Sequence, residues 1–554
     1  MFIIPDYKPV VKKTKGSYAA TALVGTYSAS IGWDVDPAVK TGLHGFAVRK
    51  SEYDVTTKAL VAVNWLRGEK RFAGDPADGI EIPSSRAPFQ RFRWSDYTLK
   101  AHQAYKFEIF PVRGTPMALT MDEPPVDLVI RPSEDTSGGL GVHVNRGVTS
   151  AFAYLDRFKL QNPADVADGS AYRWLSRGLK EALLDFIAAT PAGDALHLCI
   201  YEFFDVEIAA AFAAARQRGV DVRIVYHAPA GDKATLENEH VLAQANLGPI
   251  AIARTNVGNI SHNKFIVHLS GGAAVRLFTG TANFTENAFY FQTNAALTIN
   301  DPNVAAAYQA YFAILADDPL RTKIKDDIND ARNRVNALMA TVNAQQNNRF
   351  AKQFFSPLRS MDIVECAVDL IQSAQSCVFV SSPFGLDKDV VDALLANNPD
   401  ILQYGLANTT AKKKIEMLSA NNTRFFTPSR LETYMGRAWD SKAFGQHKIH
   451  IKMIAVDPWG DNPRVLFGSA NFSEGSCKDN DENAFLSSDP RLTAILTTEF
   501  LRMFDHYKSR AFINQIHNNG AEDSLSEDGS WMTTSFNPAS RSHKFRDRLV
   551  FMGG

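Results

Sequence analysis

The sequence predicts an α/β protein in three parts: a small all-β sandwich, then two similar α/β halves that pair into one pseudo-dimeric core. Three observations carry this. The first 130 or so residues are short apolar runs, some alternating with period two, broken by Gly, Pro and Asp. The remainder alternates helical and strand patterns, and does so twice. Both copies end on the same polar motif at the same spacing.

In chain order, residues 1–131 carry strand patterns at GLHGFAVRK, ALVAVNW, DYTLK, AYKFEIF and VDLVIR. Tyr105, Phe107 and Ile109 alternate with Lys106 and Glu108, as in a half-buried strand. This region resembles a fibronectin type III module and is expected to be structural or to dock a protein partner. The polar, Gly-rich stretch 131–148 is expected to be a linker. The first half, 149–316, opens with the helix WLSRGLKEALLDFIAA, then the strand ALHLCIYEFF, the helix VEIAAAFAAARQRG and the strand VDVRIVYHA. The second, 351–517, repeats this as SMDIVECAVDLIQSA, SCVFVSSPF, KDVVDALLANN and DILQYGLANT. Strand–helix–strand units imply a parallel or mixed sheet with helices on its faces. Between the halves, 317–350 predicts a polar helix with an apolar seam at Ile324, Ile328, Val335 and Leu338. The tail 518–554 is expected to lie along the surface.

Composition narrows the function. The chain has 554 residues, 45% hydrophobic and 21% charged, which is ordinary globular usage. Lys+Arg is 59 and Asp+Glu 60, a net charge of -1. That argues against a surface devoted to nucleic acid or anionic membrane while leaving room for a local basic groove. Cys199, Cys366, Cys377 and Cys477 form no CxxC spacing and are expected to be core thiols, not zinc ligands or disulfides. The N-terminal stretch MFIIPDYKPVVKKTKG lacks a signal-peptide pattern, and no apolar run is long enough to span a bilayer, so a cytoplasmic location is the default expectation.

The chemistry lies in the repeated motif. One copy holds His262-Asn263-Lys264, then Gly280-Thr281-Ala282-Asn283; the other holds His450-Ile451-Lys452, then Gly468-Ser469-Ala470-Asn471. From His to Gly the interval is 18 residues in each (262 to 280; 450 to 468). His and Lys two apart on a strand share a face. Gly permits a tight turn and Asn supplies an amide donor. Pairing the copies would give one cleft two ammonium groups and two amides for a phosphate's non-bridging oxygens. Two imidazoles would then divide into nucleophile and general acid. No acidic cluster suits a metal, so neither a metal nor a cofactor is expected.

At these residues the chain resembles the phospholipase D superfamily, whose signature HxK(x)4D followed by GSxN occurs twice; the resemblance covers about 150–517. The second copy matches fully, with Asp457 as the motif aspartate, while His447 starts no such pattern. The resemblance implies a metal-independent, ping-pong reaction through a covalent phosphohistidine. It also implies an acidic residue after the GSxN turn that supports the motif histidine, which here is Glu482. The first copy departs: Leu269 holds the Asp position and, with Asn294-Ala295 set against Asn483-Ala484, Thr293 holds the Glu482 position. By family analogy His262 is the nucleophile and His450 the acid. Support from Glu482 within its own half would argue the reverse.

Ser469 and Thr281 are expected to contact substrate. So are Arg430, Tyr434, Arg437 and Trp439, in the long basic, aromatic segment before the second motif. Glu286 and Glu474 are expected to stabilise the turn or helix start after each motif, and His268 to be a satisfied sheet histidine. The partner is a phosphodiester. Transfer or hydrolysis of a phospholipid's phosphatidyl group is the first reading. A nuclease with a basic lining from Arg254, Arg276, Arg424, Arg430 and Arg437 is the alternative, and a binding or scaffold protein the third.

Overall fold

The computed structural model describes residues 3–68, 70–75, 81–147, 151–159, 161–330, 350, 352–408, 423–426, 449–519, 524–540 and 542–554. The N-terminal region is all-β. One antiparallel sheet orders the strands Val10–Lys15, Tyr18–Val24, Ala29–Val35 and Arg93–Asp96; a second is built around Gly45–Asp54 and Gln103–Thr115. Their inward residues, among them Trp33, Phe46, Phe89, Phe92, Tyr105 and Phe107, make one aromatic core.

Each half is a mixed sheet. In the first, the order is Thr136–Ser137, Leu140–Val144, Ala295–Ile299, Ala273–Gly280, Lys264–Ser270, Ala195–Ile200, Asp221–His227, Ala251–Arg254. In the second it is Lys352–Ser356, Glu482–Ser487, Arg464–Gly468, Met453–Val456, Cys377–Ser381, Leu402–Leu406, Thr423–Phe426. From Leu140–Val144 and Lys352–Ser356 onward the two orders are the same. Parallel pairs are joined through capped helices: Asp205 caps Val206–Gln217, and Asp387 caps Lys388–Ala396, each accepting backbone N–H groups at the helix start. The helices Pro302–Ala316 and Pro490–Asn519 follow the equivalent strands Ala295–Ile299 and Glu482–Ser487. Their side chains, with those of both sheets, form one continuous core that includes Tyr308, Tyr311, Phe355, Phe379, Phe485, Phe500 and Phe504. Burial of this shared apolar surface joins the halves.

Three sequence expectations are corrected. The supposed linker 131–148 supplies two strands, and Leu140–Val144 pairs with Ala295–Ile299 inside the first sheet. Its apolar residues Leu140, Val142 and Val144 alternate with Gly141 and His143, a period-two strand pattern hidden among glycines. The helix expected at 174–189 is two, Ser170–Ser176 and Leu179–Ala188, because Arg177 and Gly178 adopt positive φ. The tail is not a surface strap alone: Trp531 and Met532 enter the sandwich core and Phe551 the shared core. Residues 321–330 are helical with Ile324 and Ile328 buried, while Val335 and Leu338 lie outside the described residues. All four cysteines are buried and free.

A buried ion cluster ties the three parts together. Glu499, on the long helix, accepts from Arg177 (2.7 Å), from Arg502 (2.7 Å) and from Ser28 of the sandwich (3.3 Å). Removing the carboxylate leaves two buried guanidinium groups uncompensated. Glu499→Ala is therefore expected to destabilise the fold by about 3–5 kcal/mol in a denaturant titration.

Candidate active site

The two halves meet along reciprocal backbone contacts. The His262 N–H donates to the Asp481 carbonyl (2.8 Å), and the His450 N–H donates to the Thr293 carbonyl (3.1 Å). Ser261 bridges Asp481 and Ile449 bridges Thr293, in the same parallel sense. This pseudo-two-fold brings His262 and Lys264 beside His450 and Lys452, at the strand ends where the first motif strand starts opposite Ile200 and the second opposite Ser381, with Asn283 and Asn471 in the turns that follow Ala273–Gly280 and Arg464–Gly468. Both histidines and both lysines are buried. Each lysine donates to its own histidine's carbonyl, Lys452 to His450 at 3.0 Å and Lys264 to His262 likewise.

The supports are crossed between halves. Nδ1 of His262 lies 2.8 Å from Oε2 of Glu482, which belongs to the other half. Nδ1 of His450 lies 2.8 Å from Oδ1 of Asn294. Each support is held by the hydroxyl of its own turn: Ser469 donates to Glu482 (2.8 Å) and Thr281 to Asn294 (2.7 Å). This corrects two expectations. Glu482 serves His262, not His450. Its counterpart in the first half is Asn294, not Thr293, because Gly280 pairs with Ala296 as Gly468 pairs with Ala484, 16 residues on in each half. Matching Asn294-Ala295 to Asn483-Ala484 by letter slips that register by one. Thr293 is equivalent to Asp481, each offering its carbonyl to the opposite histidine.

Ser469 and Thr281 are fully buried and engaged with these supports, so neither hydroxyl faces a substrate as expected. Asp457 is also displaced from the cluster. With φ of 48°, it accepts from the N–H groups of Gln375, Ser376 and Cys377 and from the Ser376 hydroxyl, at 2.8–3.0 Å. It clamps the far end of the motif strand to the start of Cys377–Ser381. The first half does this differently, His268 pairing with Asp194 at 2.7 Å where Leu269 replaces the aspartate. Asp457→Asn is accordingly expected to cost about 1–3 kcal/mol of stability while retaining turnover, measured by thermal melting beside an activity assay.

Glu474 lies in the first turn of a short helix and pairs with Lys478, the place expected of it, whereas Glu286 makes no capping bond to the helical turn Asn287–Phe291 and accepts instead from the Tyr172 hydroxyl. Arg254 does not line the cleft. It is fully buried, bonded to Asp481 and Asp318, and so braces the segment that carries Glu482. Arg276 lies over Phe186 and donates to His268, and Arg424 sits on the edge strand. Arg430, Tyr434, Arg437, Trp439 and His447 lie outside the described residues.

Several groups were not legible beforehand. Tyr201 packs edge-on against both His262 and His227 and lies 5.3 Å from Nζ of Lys264. His227 is buried and accepts the Ser261 N–H at Nδ1. Glu202 accepts from Nδ2 of Asn283, and Phe384 lies against His450 and Lys452. His227 ends the strand Asp221–His227 and the others follow strand ends, with no repeated letter to mark them.

Electrostatics fix the resting state. Burial first, then the two lysines, hold both imidazoles well below the ordinary histidine range. Burial pulls Lys264 down to about 7, opposed by Glu482 and Glu202. Lys452 is likewise lowered by burial and by Lys264. Burial pushes Glu482 up to about 7, opposed by Lys264 and by donors. Four groups donate to it, His262, Ser469, Ser476 and Asn480, and none accepts, an arrangement suited to the ionised carboxylate. Burial thus brings the cationic groups of the site closer to losing their protons near neutrality. A bound anion favours the protonated lysines and imidazoles, so it raises their pKa and takes up protons. Affinity then rises as pH falls toward 7, by up to about tenfold per pH unit for each proton taken up. Titrations with dimethyl phosphate, a monoanion, in buffers of differing ionisation enthalpy are expected to show this uptake.

Among the described residues no group of three or more His, Cys, Asp or Glu side chains is arranged to hold a metal, and no helix is long and apolar enough to cross a membrane. Fold and site together define a protein of two α/β halves that set two His-x-Lys motifs against each other. The chain belongs to the phospholipase D superfamily: the family model described as cardiolipin synthase, PLD-like domain, matches residues 185–315 and 367–504. Members of that superfamily are phosphodiesterases and phosphoryl transferases. Similar solved structures include Nuc, a phospholipase D family member from Salmonella typhimurium (25% identity, 24% of this chain and 84% of that chain, TM-score 0.21). Others are polyphosphate kinase from Porphyromonas gingivalis (14%, 69% and 54%, 0.38) and phosphatidylserine synthase from Haemophilus influenzae Rd KW20 (12%, 63% and 92%, 0.40). No curated protein sequence matches the chain.

Proposed function

We propose that the protein cleaves or transfers phosphodiesters through a covalent phosphohistidine on His262, with the phosphatidyl group of a phospholipid as the group transferred. The observation that carries this is the unequal support of the two imidazoles: a carboxylate behind His262 and an amide oxygen behind His450. Glu482 holds the Nδ1–H tautomer of His262, leaves Nε2 with its lone pair toward the cleft, and stabilises the positive charge that grows as Nε2 bonds to phosphorus. Asn294 orients His450 without adding such charge, so an imidazolium there gives up its proton readily. In the first step the His262–phosphorus bond forms, the bond to the leaving oxygen breaks, and His450 protonates that oxygen. In the second, His450 takes a proton from water or an alcohol whose oxygen attacks phosphorus, and the electron pair of the broken P–N bond returns to Nε2. Lys264, Lys452, Asn283 and Asn471 stabilise the equatorial oxygens in both steps.

A lipid substrate is favoured by the cardiolipin synthase description of the matching family model. It is favoured also by Phe384, an exposed ring beside the acid His450, and by the burial of Arg254, one of the arginines a nucleic-acid groove would have used. Incubation with phosphatidylcholine vesicles, ethanol and EDTA is expected to yield phosphatidylethanol, absent with His450→Ala. No product from these vesicles, together with cleavage of labelled single- or double-stranded DNA in the same buffer, would replace the lipid reading with the nuclease one.

A further inference from the structure

Glu202 and Phe384 occupy equivalent places. In the first half the Asp205 N–H donates to the Phe284 carbonyl (2.9 Å); in the second the Asp387 N–H donates to the Phe472 carbonyl (2.8 Å). Each aspartate caps the helix that follows, and each stands three residues after the position in question. The same loop therefore forms around a carboxylate in one half and a benzyl group in the other, so the fold itself does not require the charge. Glu202 is nonetheless fixed beside the motif. Its carbonyl accepts the Phe284 N–H (2.9 Å), and its carboxylate accepts from Nδ2 of Asn283, whose Oδ1 has no partner. Its charged neighbours are Lys264, Asp232 and Lys233.

We propose that Glu202 is a specificity-determining residue: its carboxylate beside Asn283 balances Lys264, so that the cleft accepts the single negative charge of a phosphodiester and rejects the double charge of a phosphate monoester or orthophosphate. The proposal rests on the phosphodiesterase reading above. A bound anion favours the protonated lysines, so with both imidazoles neutral the anion-bound cleft sets Lys264 and Lys452 against Glu202 and Glu482, two positive charges against two negative. Protonation of His450 for its role as acid leaves one positive charge, which a diester cancels. Without Glu202 the same state carries two, which suit a dianion. The carboxylate would also disfavour retention of a dianionic monoester product.

The test is calorimetric titration at mildly alkaline pH with two probes, dimethyl phosphate and orthophosphate, on wild type, Glu202→Gln and Glu202→Phe. The second variant places in the first half the residue its counterpart loop already carries, and Glu202→Gln keeps an acceptor for Asn283. The ratio of the two dissociation constants is expected to shift toward orthophosphate by at least about tenfold in both variants. No shift in either variant overturns the proposal. A shift in Glu202→Phe alone also overturns it, since Glu202 would then only anchor the amide of Asn283. Turnover of bis(p-nitrophenyl) phosphate by wild type tests the reaction separately: its absence alongside a shifted ratio removes the phosphodiesterase reading and leaves the anion selectivity standing.

Discussion

His262→Ala is expected to abolish turnover of every phosphodiester, by about 10⁴-fold or more, whatever the leaving group. His450→Ala is expected to slow the first step by about 10²–10⁴-fold with a poor leaving group such as an alkoxide, and far less with p-nitrophenolate, which departs without a proton; a burst of p-nitrophenolate then precedes slow breakdown of the intermediate, which lacks its base. The difference follows from the supports. In the proposed mechanism the carboxylate at His262 stabilises a charge that exists only once the P–N bond is forming, and the amide oxygen at His450 orients a proton donor. Quenching a reaction of His450→Ala with the activated diester is expected to trap on His262 a phosphoryl group that still carries the substrate's second ester, detectable by mass spectrometry of acid-sensitive peptides. The same adduct trapped instead on His450 in the His262→Ala protein would reverse the assignment.

Glu482→Gln is the second large effect, an expected loss of about 10²–10⁴-fold, comparable to removing the carboxylate from a catalytic triad. Its leaving-group dependence decides which histidine it serves. If Glu482 acts through His262 across the interface, the loss persists in the p-nitrophenolate burst of the first step. If it acted through His450, the defect would largely vanish from that burst. Asn294→Ala, removing the other support, is expected to show that second pattern. Comparing the two variants on one activated and one unactivated diester therefore tests the crossed geometry directly.

The motif itself was legible, and the reason is chemical. His and Lys two residues apart on an apolar strand must share a face, and a Gly-[Ser/Thr]-x-Asn turn at a constant 18-residue interval can recur only where both copies keep the same strand pairing. The alternation of helix and strand patterns gave the two mixed sheets, and short alternating runs gave the antiparallel sandwich, because burial of one face writes its period into the chain. The strand Leu140–Val144 was missed because glycines on either side mimic a linker. The break at Arg177 was missed because nothing in a helical pattern announces a left-handed residue before Gly178. The aromatic contribution of Trp531 to the sandwich comes from more than 400 residues away in sequence, beyond any local signal.

The amino-acid sequence thus determined which side chains the two motifs carry to the junction of the halves: two histidines, two lysines and two asparagines. What each of them does was decided by tertiary structure. The pairing of the halves sends Glu482 to the opposite histidine, fixes Asn294 rather than Thr293 as its counterpart, draws Ser469 and Thr281 behind the site, and carries Asp457 to the far end of its strand. The physical reason is that a hydrogen bond of 2.8 Å between residues 220 positions apart depends on the register and packing of two sheets, and neither is encoded in the local pattern of either half.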